Sequence, residues 1–595
     1  MVVAATTTSR SERMRVWLQS RCTLAVACAV AFGLLIGCAN KRHASEQASV
    51  GAALPDLPEP PGVLAELRLA HPDATFRALR ELGRPLSSLL PAGFPMLSAS
   101  LLGLPPLTAD SFDPELPVVG VLTQNGASAP GWVLALHAMS GPELVAKLCT
   151  GNHAPFRAVA GGVAGLQRIE PSSAPSRANF SLGVFDQYLL VASTDELLKV
   201  AGPYVARTLP RRPPARASQA PLALRFSQHA LESNLVPALR ALWASYRTGL
   251  SHLDQSARSA HGGRAPDFGD PAQVILGADA VVESLLSLLD GAALLELELE
   301  PSPNRLEVTL VLEPGAGSEV QAKLGTLAGG TAQGLLTLPA ETQFALGLSR
   351  TNEERELAGK VAGDDWVRLL GARLSAGDAQ QLRAVLSDWE LGRSTQTRYG
   401  FLGGGEPGAF LVTGVADATR MKRAASGLFG LLAVPGLRAP LVEFIAQPRV
   451  VEGAPGVDLL LPNVSRKKLL FSPSGGRKVA PGPLSFAWLV EPEWGFAAAS
   501  KDADRTLKAV LQSAHGERPT LAEKAGIAEA VQRIGDQAAL FAYLDARVLG
   551  GLAGSAATLP APLLLALGKR GPSGYLRLEI AKPAVDLALS GMLGQ

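Results

Sequence analysis

Apolar and polar residues alternate along several short stretches of the chain. In Leu295–Glu313, three leucines alternate with glutamates, a Pro-Ser-Pro-Asn segment follows, and the alternation resumes from Leu306. Period two places one kind of side chain on each face of a strand. We predict a hairpin here, with leucines facing the core and glutamates facing solvent, which is typical of antiparallel sheets. A cation site on the acidic row is the alternative interpretation.

A second pattern consists of a short apolar strand, a polar cap and a helix. Trp132–His137 leads to Ser140 and Glu143, which have the spacing of a capping box. The same order recurs at Val63–Leu69 with His71–Asp73, Tyr188–Ala192 with Ser193–Glu196, Leu222–Phe226 with Ser227, Phe344–Leu348 with Ser349, Phe410–Val415 with Asp417, Phe496–Ala499 with Ser500 and Ala539–Leu544 with Asp545. These patterns predict an α+β fold, with antiparallel sheets and helices packed on one face.

Pro- and Gly-rich segments suggest how this fold is divided. Strands predicted near residues 63, 222, 343 and 484 each follow such a segment and open stretches of similar order. We interpret them as diverged repeats of about 120–160 residues, the usual size of a domain. The predicted α+β domains are 63–209, 222–342, 343–471 and 484–595.

Two further stretches, Pro85–Ala109 and Val548–Gly568, carry no charged residue. Both contain several prolines, which prevent a continuous membrane-spanning helix. We expect broken helices that are buried in the core or line an apolar groove.

The N-terminal region predicts a targeting segment. Arginines between Arg10 and Arg21 precede an uncharged, mostly apolar run, Thr23–Ile36, which ends at Gly37 and Cys38. The run has the length of a signal-peptide core and is too short to span a bilayer. Leu35 to Cys38 resembles the lipobox of bacterial lipoproteins. That resemblance implies removal of residues 1–37 and lipidation of Cys38, which would become the first residue of the mature chain.

Two alternatives to a lipobox remain, an ordinary signal peptide with a chance cysteine and an uncleaved anchor. Met14 is an alternative initiator. Residues 38–62 are predicted to be a lipid-bearing tether, which is Pro-rich near its end and therefore extended. Ala39 follows Cys38, and by resemblance the absence of Asp at that position favours the outer membrane, facing the periplasm.

Composition limits the possible functions. Of 595 residues, 47% are hydrophobic and 18% are charged, which is enough apolar content for a sizeable core. The net charge of +2 does not indicate a nucleic-acid partner. Of the four cysteines, Cys149 alone is left in the predicted mature body, where we expect a small buried hydrophobe and no internal disulfide.

Familiar catalytic and metal-binding motifs are missing from the sequence. The eight histidines do not pair at helical ligand spacing, and Gly403–Gly405 is not followed by a helix start that could hold a phosphate. Ser465–Lys468 matches an isolated Ser-x-x-Lys by chance. Asp364 and Asp365, like Asp502 and Asp504, are expected to cap helices. We assign no catalytic, cofactor-binding or metal-ligating residue.

Three functions are compatible with these features. The first is a non-enzymatic, membrane-anchored envelope lipoprotein that presents a large surface to a protein partner. The second is binding or transport of an apolar ligand such as a lipid, suggested by the charge-free stretches. The third is an envelope hydrolase whose site is assembled from scattered residues.

Overall fold

The structure is a computed structural model. It describes residues 56–593 except 84–86, 88–89, 125–129, 152–153, 173–179, 213–219, 261–278, 280–281, 284, 331, 371–373, 405–406, 432–444, 452–453, 461–482, 535–536 and 549–560. The predicted signal peptide, Cys38 and most of the tether therefore lie outside the described residues. The chain divides into two compact units, Met1–Leu306 and Glu307–Gln595, and the division falls within one strand. The four predicted domains stay a prediction.

Unit 1 contains a nine-stranded antiparallel sheet in its described part. Its strands are β1 (Val63–Leu69), β2 (Val118–Thr123), β3 (Gly131–His137), β4 (Phe156–Ala160), β5 (Leu166–Pro171), β6 (Ser181–Phe185), β7 (Tyr188–Ala192), β8 (Leu222–Ser227) and β9 (Ala292–Ser302). Its main helices are α1 (Pro72–Leu82), α2 (Phe94–Leu101), α3 (Gly141–Cys149), α4 (Asp195–Arg207) and α5 (Val236–Ala260). Across the sheet the strands follow the order β4-β5-β6-β7-β3-β2-β1-β8-β9.

Unit 2 contains eleven antiparallel strands in its described part. Its strands are β10 (Arg305–Pro314), β11 (Thr342–Ser349), β12 (Arg393–Leu402), β13 (Gly408–Val415), β14 (Ile445–Val451), β15 (Ala454–Leu460), β16 (Pro483–Val490), β17 (Trp494–Ser500), β18 (Ala538–Asp545), β19 (Pro562–Arg570) and β20 (Ser573–Ala581). Its helices include α6 (Glu319–Thr326), α7 (Asn352–Leu370), α8 (Ala376–Gly392), α9 (Ala418–Leu431), α10 (Ala503–Ala514), α11 (Ile527–Ile534) and α12 (Lys582–Leu593). Across the sheet the order is β14-β15-β16-β17-β13-β12-β11-β18-β19-β20-β10.

The two units share one topology. Strands β1 to β9 match β11 to β19 one for one, both in chain order and in pairing partner. The helices fall in the same intervals: α3 and α9 follow the third strand, and α4 and α10 follow the seventh. The described chain is therefore an internal repeat of one α+β unit of about 280 residues, larger than the usual domain.

Most predicted strand–cap–helix junctions are confirmed. The hydroxyl of Ser140 accepts a hydrogen bond from the backbone N–H of Glu143, and Ser227 and Asp417 cap the following segments in the same way. At three junctions the cap lies one or two residues beyond the first polar residue of the predicted pattern. The caps are Thr194, Thr351 and Asp502, and the first polar residues are Ser193, Ser349 and Ser500. Ser349 and Ser500 are the last residues of their strands, whereas Ser193 follows the end of β7 at Ala192.

Each sheet has an inner face, which we define by its contact with α4 in unit 1 and with α10 in unit 2. In unit 1 the inner face carries Val133, Ala135 and Leu190, which are buried with Leu198 and Val205 of α4. In unit 2 it carries Phe410, Val412 and Phe496, which are buried with Leu507 and Val510 of α10. The α+β class and the antiparallel sheets are thus confirmed.

Additional helices lie against the opposite, outer faces. In unit 1, α1 packs against β9. In unit 2, Met421 and Ala425 of α9 pack with Trp488 of β16, which the register places on the face opposite Phe496. The cores of both units therefore have contributions from both sides of the sheet.

The acidic row of Leu295–Glu313 is only partly the solvent-exposed face that we expected. The strands form as predicted and Glu300 is exposed, but Glu296 is 6% exposed and Glu307 is 4% exposed. Glu307 pairs with Arg577 of β20. An arginine that is distant in the sequence neutralises this buried carboxylate. The alternation of residues along the strand does not indicate such a partner.

The charge-free stretches have different outcomes. The described part of Pro85–Ala109 forms the short helix α2 and a 3₁₀ turn at Pro106–Ser111, and Phe94, Leu97 and Ala99 are buried, so the broken-helix prediction is confirmed there. The prediction is wrong for the end of Val548–Gly568, where strand β19 begins at Pro562. No helix in the described part of the chain is long and apolar enough to cross a bilayer.

Candidate apolar binding surface

The outer face of unit 2 carries a grid of apolar side chains on four adjacent strands. Register places these side chains in three rows across β11, β18, β19 and β20. The rows, which we call the open face, are Phe344, Leu544, Leu563 and Ile580; Leu346, Ala542, Leu565 and Leu578; and Leu348, Leu540, Leu567 and Leu576. Period two gives these strands one apolar row on each side, so the sheet has two apolar faces to cover.

Only the inner face of these four strands is fully covered. There Tyr543, Leu564 and Ala566 are at most 2% exposed. On the open face every side chain is half-buried or exposed, and Phe344 and Leu567 reach 40% and 38%. A contiguous apolar surface of this kind, several strands wide, typically marks an interaction site.

Unit 1 provides an internal comparison because its outer face has the same topology. Leu69, Leu222 and Leu299 form one row across β1, β8 and β9, the counterparts of β11, β18 and β19. Their exposures are 2%, 9% and 7%, against 38% for Leu567 in the corresponding row of unit 2. The same part of the sheet is therefore sealed in unit 1 and open in unit 2.

The helix that follows the first strand accounts for this difference. In unit 1, α1 packs against β9, and its apolar side chains Phe76, Leu79 and Leu82 are buried. In unit 2 the corresponding helix α7 packs against α8. It leaves Leu357 and Trp366 at 63% and 50% exposed. The helix that seals one sheet thus turns its apolar residues to solvent in the other.

Two other helices border the open face. At one corner, Ala584 and Leu587 of α12 pack with Leu563 and Ile580. At the opposite end, Leu324 of α6 fills the space beside Gly574, the outer-face residue next to Leu576 along β20. A side chain at position 574 would meet Leu324 at 2.8 Å. The helices α6 and α12 thus bound the surface along β20.

One end of the open face is positively charged. The alternation along β11 continues from Leu348 to Arg350, whose backbone N–H bonds to the carbonyl of Thr395, and along β19 from Leu567 to Lys569. We call Arg350 and Lys569 the cationic edge. Lys569 Nζ donates to the carbonyl oxygen of Gly325 at 3.2 Å, and no described carboxylate lies within ion-pair distance of it.

Arg350 adjoins a buried group of arginines between α7, α8 and β12. Glu390 accepts from Arg393 Nε at 2.9 Å and lies 3.9 Å from Arg350. Arg355, 6% exposed, donates to the carbonyl oxygen of Glu390 at 3.0 Å, and its Nε has no partner in the described chain. Burial, followed by the charge of Arg393, lowers the pKa of Arg355. Glu390 thus lies close to several arginines, and Glu356 also places negative charge near Arg355.

Two buried ionisable groups near the end of β18 have partners within the fold. Asp545, 1% exposed, accepts from Arg547 Nε at 2.9 Å and from the backbone N–H of Ala561 at 3.4 Å. Burial alone would raise the pKa of Asp545, but the hydrogen bonds from Arg547 hold it below its usual value. Lys524, whose pKa is lowered chiefly by burial, lies 3.3 Å from the hydroxyl of Tyr543. This arrangement ties the end of β18 to its neighbours.

Arg398 is the most desolvated cation on the inner face of unit 2. Burial lowers its pKa to about 10. Its guanidinium lies over the ring of Trp494 at 4.8 Å and donates to Gln396 at 3.1 Å. It also occupies the space that a side chain at Gly334 would need. The adjoining pocket, which Ser349 also lines, is small and contains no acid among its described residues.

The individual residues considered from the sequence have mixed outcomes. Cys38 and Ser465–Lys468 lie outside the described residues. Cys149 is half-buried, and burial raises the pKa of its thiol. Asp502 caps α10 as predicted. Asp364 does not cap a helix, because α7 begins twelve residues earlier, at Asn352; it pairs instead with Arg383.

The described residues contain no group of three or more His, Cys, Asp or Glu side chains that could hold a metal ion. They bring together the open face and the cationic edge, which sequence reasoning missed. The signal was present in Leu563–Lys569, where leucines at every second position end in a lysine, but it was masked by a continuous apolar run.

Comparisons with known proteins add little to this geometry. No family model matches the chain, and no curated protein matches it. Among solved structures, crystal form I of TP0453 is similar over 44% of this chain and 96% of that chain, with 10% sequence identity and a TM-score of 0.20. Similarity at this level carries no argument about fold or function.

Proposed function

We propose that this protein is a membrane-anchored lipoprotein of the cell envelope that binds the acyl chains of a phospholipid on the open face of unit 2. The observation that carries the proposal is the contrast between the sealed row of unit 1 and the open row of unit 2. A surface that one copy of the repeat buries in its own fold remains available for a ligand in the other.

The chemistry of the open face favours acyl chains over a polar ligand. All of its side chains are apolar, and the backbone groups of its central strands, β18 and β19, are paired in the ladders on either side. The face therefore offers no directed hydrogen bonds, which a peptide backbone or a sugar would need. Acyl chains gain from burial alone, at about 25 cal/mol per Å².

The predicted anchor would supply the ligand at short range. A tether from Cys38 to Gly62, fully extended, would reach about 60–80 Å. The open face would thus remain close to the membrane that holds the lipid anchor. A protein partner, which the first function suggested by the sequence would require, is the competing occupant of the same face.

Site-specific photocrosslinking in cells distinguishes the two occupants. A benzophenone amino acid would replace Leu567 in the full-length chain, in cells grown with radioactive phosphate. Phosphate labels phospholipids but not the acyl group expected on Cys38. The matched control carries the same amino acid at Leu107, an 81% exposed leucine in unit 1.

We expect radioactive phosphate to be attached to the chain after irradiation at position 567, and several-fold less at position 107. Discrete products of higher mass without phosphate would show that a protein occupies the face. Equal labelling at both positions would show nonspecific contact with the bilayer. Either of these two results contradicts the proposal.

A further inference from the structure

We propose that a helix pair of unit 1, formed by α5 and the helical segment 285–290, lies against the surface of the bilayer that holds the predicted lipid anchor. This inference rests on the anchor in the proposed function and goes beyond it, because it concerns unit 1 and does not involve the open face. It follows from an apolar surface on the helix pair and from the place where the tether enters unit 1.

The helix pair is an addition to the repeated fold. It lies between the eighth and ninth strands, an interval that spans residues 228–291 in unit 1 and only residues 546–561 in unit 2. α5 alone has 25 residues, which is a length of about 37 Å. One copy of the repeat thus forms the same sheet without a helix of this length, so the helix pair serves another purpose in the other copy.

Ion pairs hold the two helices antiparallel. Arg240 lies 3.6 Å from Asp290, whereas Arg247, two turns later on α5, lies 3.4 Å from Asp279. The indole N–H of Trp243 also donates to Asp279, at 2.8 Å. Because the spacing of these three residues puts them on one face of α5, that face is the one that contacts the second helix.

An apolar surface lies on one side of the helix pair. Leu242 and Tyr246, one turn apart on α5, are 67% and 57% exposed, and Leu285 of the second helix is 55% exposed. In an antiparallel pair that meets through the ion-paired faces, helical geometry places all three on the same side. We call these three residues the pair surface. An apolar stripe of this kind usually faces the core of a protein.

The tether enters unit 1 beside the base of the helix pair. β1 and β8 are antiparallel, with Glu66 opposite Arg225, so the start of β1 lies beside the end of β8. From that end of β8 the chain continues through Gln228–Leu235 directly into α5. Burial raises the pKa of Glu59 in the tether, and the nearby charges of His229 and Arg225 oppose this shift. The tether and α5 therefore leave the sheet at the same end.

The length of the tether keeps the bilayer within reach of the pair surface. From Cys38 to Asp56, where the described residues begin, the chain spans at most about 60 Å. The base of the helix pair stays within that distance of the anchored lipid. Because the anchor makes the second contact intramolecular, a contact that is too weak to hold the chain alone is sufficient.

The chemistry of the pair surface suits a bilayer better than a second copy of the chain. A stable dimer buries about 800 Å² per partner, far more than three exposed side chains supply. Helices that lie in the membrane interface place leucine and aromatic side chains towards the acyl chains and arginines beside them. Arg240 and Arg247, 48% and 54% exposed, lie next to the pair surface in this way.

The test places a fluorescent label on either side of α5. The full-length, lipid-anchored chain carries Cys149→Ser, so that only an introduced cysteine is labelled, and it is reconstituted in phosphatidylcholine vesicles. The label is attached at Tyr246→Cys, in the pair surface, or at Ala244→Cys, the matched control. Ala244 is exposed and lies about 200° around the helix from Tyr246. Quenching is measured with a quencher on the lipid acyl chain and with iodide in solution.

We expect the lipid-borne quencher to act several-fold more strongly at position 246 than at position 244, and iodide to show the opposite preference. Iodide quenching of equal strength at both positions, without quenching from the lipid, overturns the inference. Protection of position 246 that rises with protein concentration, again without quenching from the lipid, shows that a second copy covers the surface and also overturns it. Both results leave the open face and its ligand unaffected. A chain that does not remain with the vesicles overturns the anchor and this inference together.

Discussion

Leu567 of β19 lies directly opposite Leu576 of β20, and both side chains are on the outer face of the sheet. Leu567 is 38% exposed, whereas Leu564, on the inner face of the same strand, is 2% exposed. One strand thus carries two leucine rows with different roles. The inner row stabilises the fold, and the outer row is available to a ligand.

The two rows predict different costs for the same truncation. Leu564→Ala should lower the free energy of unfolding by about 2–5 kcal/mol, because it leaves a cavity in the core. Leu565→Ala, one position along and on the open face, should cost about 1 kcal/mol, because that side chain is only half-buried. Urea unfolding of the two variants measures both values. Equal costs would show that the outer face is packed as tightly as the inner one.

Glu390 is predicted to be essential for stability because of the arginines around it. Glu390→Gln should destabilise unit 2 by about 3–5 kcal/mol, since it leaves Arg393 buried without a counter-charge. Asp388→Asn, two residues away on the same helix, removes an exposed pair with Arg423 and should cost about 0–1 kcal/mol. A Glu390→Gln variant that is as stable as the native chain would show that the arginine cluster is solvated or neutralised by other groups.

The buried Asp545 should make part of the stability of unit 2 sensitive to acid. Its folded-state pKa is held below the usual 3.8 by Arg547, so its contribution to stability is fully present above that value and is lost as the pH falls through the folded pKa. Asp545→Asn should be less stable at neutral pH and should lose less additional stability between about pH 4 and pH 2 than the native chain. Denaturant midpoints measured at several pH values compare the two slopes. Parallel slopes would show that Asp545 does not titrate with unfolding.

Local patterns in the sequence predicted many of the strands and helix starts in each unit, but not how the strands pair. The leucine alternation located β9 and β10, and Ser140 and Ser227 located helix starts, because strand faces and caps depend on neighbouring residues. The repeat of one strand order in the two units was not predicted, because it is carried by strand pairing and not by similar residues. The pairing of Glu307 with Arg577 joins positions 270 apart, and no local pattern indicates it.

The exposure of the open face also could not be predicted from local sequence patterns. Leu299 and Leu567 each belong to a set of leucines at every second position of a strand. Their exposures differ because α1 packs against β9 while α7 packs against α8, and that choice depends on tertiary packing. Sequence reasoning suggested a lipid-binding function from Pro85–Ala109 and Val548–Gly568. The structure provides an apolar surface on β11 and β18–β20, and only the end of the second stretch, in β19, belongs to it.

The anchor remains a prediction that a single substitution tests. Cys38→Ser should abolish fatty-acid labelling of the chain and release it from membranes, because the thiol is the attachment point that the lipobox resemblance implies. Labelling and membrane association that persist in this variant would show that another residue or an uncleaved segment anchors the protein. Cys149→Ser is the matched control and should retain both properties.

The most direct test of the central claim compares the two copies of the repeat. The same benzophenone amino acid would be placed at Leu567 in unit 2 and at its counterpart Leu299 in unit 1, in full-length chains in cells labelled with radioactive phosphate. We predict phospholipid adducts at position 567 and crosslinks confined to the chain itself at position 299, where α1 lies against the strand. Phospholipid adducts of equal yield at both positions, or at neither, would contradict the account.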